Sequence, residues 1–135
     1  MQCPKCDKAM ETIVYKTVEV DRCTQCKGIW FDALEHEVLK ELKGAEAIDT
    51  GESRVGEILD KTTRCNCPVC HTRMIGMVDR DRPNIHYEAC TVCFGAFFDA
   101  GEFKEYKQHT ISELLADLFS GSLGRLLKRS RTVEK

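Results

Sequence analysis

Apolar side chains cluster over Glu11 to Lys16 and Val18 to Arg22, two short runs rich in β-branched residues with Lys16-Thr17 between them. That pattern predicts a β-hairpin closed by a tight turn. Met74 to Val78 and Ile85 to Glu88 repeat it further along, separated by the polar stretch Asp79 to Asn84. The rhythm after each hairpin becomes helical. Leu34, Val38, Leu39 and Leu42 share one face, and Phe103 and Tyr106 give a weaker echo. Residues 44–64 hold three glycines and no aromatic, a composition that reads as a linker with a short helix around Val55 to Leu59. The longest periodic segment comes last. Ile111, Leu114, Leu115, Leu118, Phe119, Leu123, Leu126 and Leu127 fall on one helical face, opened by the capping box Thr110-Ile111-Ser112-Glu113. Gly121 and Gly124 lie off that face and each costs about 1 kcal/mol against alanine, so the helix has a candidate break at Gly121.

Composition changes this picture at one residue type. The 135 residues include nine cysteines, and eight of them form CxxC pairs: Cys3/Cys6, Cys23/Cys26, Cys67/Cys70 and Cys90/Cys93. Sixteen residues separate the first two pairs and nineteen the second two. A CxxC turn aims two sulfurs at one point, and two turns joined by a hairpin complete a tetrahedral four-sulfur shell. The amino terminus, Met1-Gln2-Cys3-Pro4, has no basic or apolar leader, so a cytoplasmic protein is expected. In that reducing compartment the pairs predict metal rather than disulfides, with two Zn²⁺ per chain. Iron held as in rubredoxin is the rival, through the Cys-Pro-x-Cys turns at Cys3 and Cys67. No charge-free stretch is long enough to span a membrane.

The chain is a tandem duplication. Cys26-Lys27-Gly28-Ile29-Trp30-Phe31-Asp32 aligns with Cys93-Phe94-Gly95-Ala96-Phe97-Phe98-Asp99, and Glu35 with Glu102. This order of CPxC, hairpin, CxxC-x-G, apolar-aromatic pair, acidic residue and glutamate-led helix closely resembles the transcription factor IIB-type zinc-ribbon family of small prokaryotic proteins. The resemblance runs from Cys3 to about Leu42 and from Cys67 to about Tyr106. It implies zinc and architecture before any job. The expected fold is a small metal-stabilised α+β protein. Two tandem zinc ribbons, 1–43 and 65–108, each comprise a β-hairpin plus a short helix. A linker, 44–64, joins them, and a C-terminal amphipathic α-helix with a basic tail follows at 109–135.

Several residues admit two readings. Asp32 with Glu35, and Asp99 with Glu102, are read as helix caps rather than paired catalytic carboxylates. One of each pair Trp30/Phe31 and Phe97/Phe98 is read as sealing its metal site while the other meets the helix; stacking on bases is the alternative. Gly28 and Gly95, two residues past the last ligand, call for close backbone approach or positive φ. Cys65 is left over, a bystander or a reactive thiol. With eight thiolates paired, none of His36, His71, His86 and His109 is needed as a ligand.

Charge narrows the function. The formal net charge is −2, and each four-thiolate zinc site adds −2, taking the holo chain to about −6. Phosphate binding needs clustered cations, and only Arg125, Lys128, Arg129 and Arg131 in the tail cluster them. Nucleic-acid binding through those residues is therefore the disfavoured alternative, and a redox-responsive or chaperone-like zinc module comes third. No catalytic constellation stands out, and no enzyme is expected. The leading expectation is a protein-interaction module, tied by its resemblance to transcription. A protein partner, or a second copy, would engage Leu114, Leu115, Leu118, Phe119 and Leu126 of the C-terminal helix, because an exposed stripe of that size needs cover.

Overall fold

The structure, a computed structural model, describes residues 1–60, 65–80 and 83–107. The predicted C-terminal helix and its basic tail lie outside the described residues. Both hairpins form where the β-branched runs and their turns place them. Strand β1 (Met10–Tyr15) pairs antiparallel with β2 (Val18–Cys23), and β4 (Ile75–Val78) with β5 (His86–Ala89). Lys16 takes φ 57 in the first turn, the left-handed conformation that a two-residue hairpin loop demands.

Each ribbon also has a third strand: β3 (Ile29–Phe31) beside β2, and β6 (Ala96–Phe98) beside β5. These two strands pair with each other, Ile29 opposite Phe98, Trp30 opposite Phe97 and Phe31 opposite Ala96. One antiparallel sheet results, in the order β1-β2-β3-β6-β5-β4. The repeat is thus written into the sheet as an approximate two-fold between β3 and β6. All six residues of the joint are buried, as continuous apolar runs must be when neither face meets water.

Two cores flank the joint. Phe31, Phe98, Phe103, Leu39, Ile48, Val20 and Ile85 form one with the helices. The other collects the sulfurs around Trp30, Phe97 and Met74. Phe31 meets Phe98 edge to face at 5.4 Å, and Tyr87 stacks on Phe98 at 4.7 Å, geometries the ring quadrupole favours.

Helix α1 (Glu35–Glu41) begins later than its apolar spacing implies, and its buried face changes accordingly. Leu34 occupies the N-cap with φ 62, so Leu34 and Val38 are exposed while His36 and Leu39 are buried. Asp32 is not the cap. Its backbone N–H donates to Glu35 Oε1 at 2.9 Å, and its own carboxylate accepts from Trp30 Nε1. The second helix, over residues 102–107, is capped from elsewhere. Asp49 Oδ1 accepts from the Gly101 N–H at 3.0 Å and Oδ2 from the Lys104 N–H at 2.9 Å.

Asp49 belongs to the segment that composition marks as a linker, and residues 44–56 of that segment are packed. A 3₁₀ turn (Ala45–Ile48) buries Ala45 and Ile48 in the aromatic core. Helix α2 (Ser53–Asp60) follows, bringing Gly56 so close to Ala100 that a Cβ would lie 2.1 Å from its carbonyl oxygen. Residues 44–56 are therefore fixed against both ribbons.

Candidate metal centres

Each metal centre is built at the end of a hairpin by two CxxC turns, and all four turns share one device. The residue after each pair, Asp7, Lys27, His71 or Phe94, has φ between 62 and 66. That left-handed step reverses the chain and turns backbone amides toward sulfur. Cys3 Sγ accepts from the Lys5 amide at 3.4 Å, and Cys23 Sγ from the Gln25 and Cys26 amides at 3.4 Å. In the second ribbon Cys67 Sγ accepts from Val69 and Cys70 at 3.3 and 3.2 Å, and Cys90 Sγ from Val92 and Cys93 at 3.4 and 3.5 Å. These donors disperse the charge that four thiolates concentrate.

The sulfurs converge as the spacing predicts. Cys3, Cys6, Cys23 and Cys26 form one group and Cys67, Cys70, Cys90 and Cys93 another, with all Sγ atoms of a group within 4.8 Å of one another. Cys6 lies 3.4 Å from Cys23, Cys67 3.6 Å from Cys93 and Cys3 3.7 Å from Cys26, sulfur to sulfur. A tetrahedron of sulfurs about 2.3 Å from zinc has edges of about 3.8 Å, so the cage matches a zinc-sized ion. Thiolates are the ligating form, and each site holds one thiol well below its ordinary range. Cys26 falls to about 5, chiefly through the hydrogen bond from Cys3. Cys90 falls to about 6: burial opposes ionisation, but the Cys93 amide, the Thr72 hydroxyl and the Val92 amide outweigh it. Their neighbours move the other way, Cys93 up to about 12, mainly by burial.

The aromatic pairs divide as expected, with an exchange the sequence does not reveal. Trp30 and Phe97 sit in the sulfur-rich core, Phe31 and Phe98 in the helical one. Yet each sealing ring covers the glycine of the opposite ribbon. A Cβ on Gly95 would lie 2.2 Å from Trp30 Cζ2, and one on Gly28 would lie 2.3 Å from Phe97 Cζ. Close approach, not positive φ, is what both glycines supply.

A buried ion group links the ribbons as well. Lys5 Nζ lies 2.6 Å from Glu88 Oε1 and 3.3 Å from Asp99 Oδ2, with the Lys5 and Asp99 side chains fully buried. Burial alone would lower the ammonium, but Asp99 and Glu88 overcome it and hold Lys5 up. The Asp99 carboxylate is thus engaged by Lys5 across the joint. Cys65 lies buried beside this group, outside both four-sulfur cages, and burial with the Glu88 charge pushes its thiol up to about 11. That is the environment of an inert thiol.

Among the described histidines none joins a cage. His36 is buried between Tyr87, Phe98, Phe31 and Tyr106. Leu114, Leu115, Leu118, Phe119 and Leu126, and the cationic Arg125, Lys128, Arg129 and Arg131, lie outside the described residues, as does His109. Among the described residues no helix is long and apolar enough to cross a membrane.

Hairpin, double CxxC cage and third strand together define the zinc-ribbon class, present twice. Each cage takes one Zn²⁺ on four thiolates. The family described as transcription factor zinc-finger, of the transcription factor IIB-type zinc-ribbon kind, matches residues 2–42 and again 66–109, and the chain belongs to it. Comparison with curated proteins and with solved structures gave no match.

Proposed function

We propose that the protein is a non-enzymatic zinc module whose fused ribbons form a rigid platform for protein contacts, assembled through its C-terminal apolar stripe. The observation that carries this reading is the closed metal shell. Thiolates occupy all four tetrahedral positions of each site, whereas a catalytic zinc keeps one position for water or substrate. The surface at the metal end supports it too. Val69, Val92 and Phe94 project from the turns of the second ribbon, with Phe94 63% exposed; the first ribbon carries Gln25 and Lys27 where the second has Val92 and Phe94. An exposed phenylalanine held at φ 63 is a costly choice for a surface with no contact to make. The link to transcription follows the family and is part of the proposal.

Light scattering on the full chain and on Leu118→Asp/Leu126→Asp tests the assembly. The native chain is expected to run as a dimer or larger and the double variant as a monomer, with two zinc ions retained in both. A monomeric native chain overturns self-association.

A further inference from the structure

The approximate two-fold lets each cage be compared with its twin, and the two differ in cover rather than in shape. Sulfur to sulfur, Cys3 lies 3.7 Å from Cys26, and Cys67 lies 3.6 Å from Cys93. Cys6 and Cys70, which end the two CPxC turns, are half-buried alike. The last ligands are not alike. Cys26 is buried, at 6% exposure, whereas Cys93 is half-buried.

The segment between the ribbons supplies the difference. It passes the Cys23–Cys26 turn so closely that a Cβ on Gly51 would lie 2.9 Å from Lys27 Cβ, and Val55 packs on the sulfur-rich core. Phe94, the twin of Lys27, is largely exposed instead. Protein atoms also crowd less densely around Cys70, Cys90 and Cys93 than around Cys3 and Cys26. The second cage is therefore the shallower one, and it shows two half-buried sulfurs where the first shows one.

Access decides which of several thiolates meets an oxidant. We propose that the second cage is a site of oxidative modification, at which a peroxide oxidises Cys93 and a Cys67–Cys93 disulfide forms with release of that cage's Zn²⁺. In the first step Cys93 Sγ takes one peroxide oxygen, the O–O bond breaks and hydroxide leaves; sulfur is oxidised to the sulfenic acid and the peroxide is reduced. In the second, Cys67 Sγ, 3.6 Å away, attacks the Cys93 sulfur, the S–S bond forms, the S–O bond breaks and a second hydroxide leaves. Two of four ligands are then consumed, and Cys70 and Cys90 cannot close a tetrahedral shell alone. Cys26, under its cover, is passed over, and so is the buried Cys65. This modification needs no partner and stands apart from the platform reading.

The zinc-loaded full chain, treated with limiting hydrogen peroxide, tests it. Native mass spectrometry counts the bound zinc, and peptide mapping after alkylation of free thiols in denaturant locates the disulfide. One of the two zinc ions is expected to be lost first, together with a Cys67–Cys93 linkage, while Cys3, Cys6, Cys23 and Cys26 are recovered alkylated. Trp30 emission should change in step, because that ring covers Gly95 of the second ribbon. Cys65→Ser should give the same order of events. Oxidation that starts in the first cage, or advances equally in both, overturns the proposal. So does a linkage that lacks Cys93, or retention of both zinc ions in excess peroxide.

Discussion

Exchange of sealing rings between the ribbons predicts that the two zinc sites bind as a coupled pair. The perturbation is Cys6→Ser, which removes a ligand from the first cage at a half-buried position. A forty-residue ribbon depends on metal for its fold, since structural zinc supplies about 10–16 kcal/mol of apparent binding energy. When the first ribbon loosens, the second loses Trp30 from above Gly95. Removing a fully buried aromatic costs about 3–5 kcal/mol, and each ~1.4 kcal/mol is a factor of ten in affinity. The ceiling is therefore about two to three and a half decades, and the second site should weaken by at least about tenfold. Titration with a competing chelator measures this, and Trp30, the single tryptophan, reports it. Its emission should respond to Cys70→Ser nearly as much as to Cys6→Ser, although Trp30 belongs to the first ribbon. If Cys6→Ser leaves the second site within about threefold of its native affinity, the coupling argument is wrong.

Gly28→Ala and Gly95→Ala should each lower thermal stability of the zinc-loaded protein by about 1–3 kcal/mol through overpacking, whereas Gly76→Ala, with nothing within 4 Å of its Cβ, should not. His36 has its pKa lowered by burial, and among the described residues Nδ1 has no hydrogen-bond partner. The neutral form is thus favoured in the fold, and its stabilisation is present above about pH 6.5 and lost as pH falls below it. His36→Phe should flatten denaturant stability measured between pH 5 and 7. Lys5→Met would strip the ammonium from two carboxylates in a buried group, with an expected cost of about 3–5 kcal/mol; a midpoint unchanged in denaturant titration would show that Glu88 and Asp99 are satisfied without it.

What the sequence reveals here is what is local. Cysteine spacing fixes both cages because each CxxC is a self-contained turn, and short apolar runs flanking polar turns fix the hairpins because each is one short excursion. The third strands carry no period: Ile29-Trp30-Phe31 is a three-residue apolar run, and only its pairing with Ala96-Phe97-Phe98 makes it a strand. The same distance hides the capping of residue 101 by Asp49, 52 positions away, and the Lys5–Asp99 contact, 94 positions apart. Composition marks 44–64 as a linker because glycines and charges look solvated, yet Gly51 and Gly56 are there to admit Ala100. The stripe of α1 misleads because Leu34 is taken by the turn that starts the helix.

The β3–β6 joint has the form of a symmetric dimer interface, carried by one chain. In a true homodimer every substitution at such a seam appears twice, and a lysine on one side obliges a lysine on the other. Duplication lifts that obligation. Lys5 faces Glu88 and Asp99 on one side of the seam, while the lysine's twin is the half-exposed Val69. Fusion has thus let a symmetric contact carry an asymmetric charge, giving the two ribbons separate identities: one polar at its metal end, the other greasy.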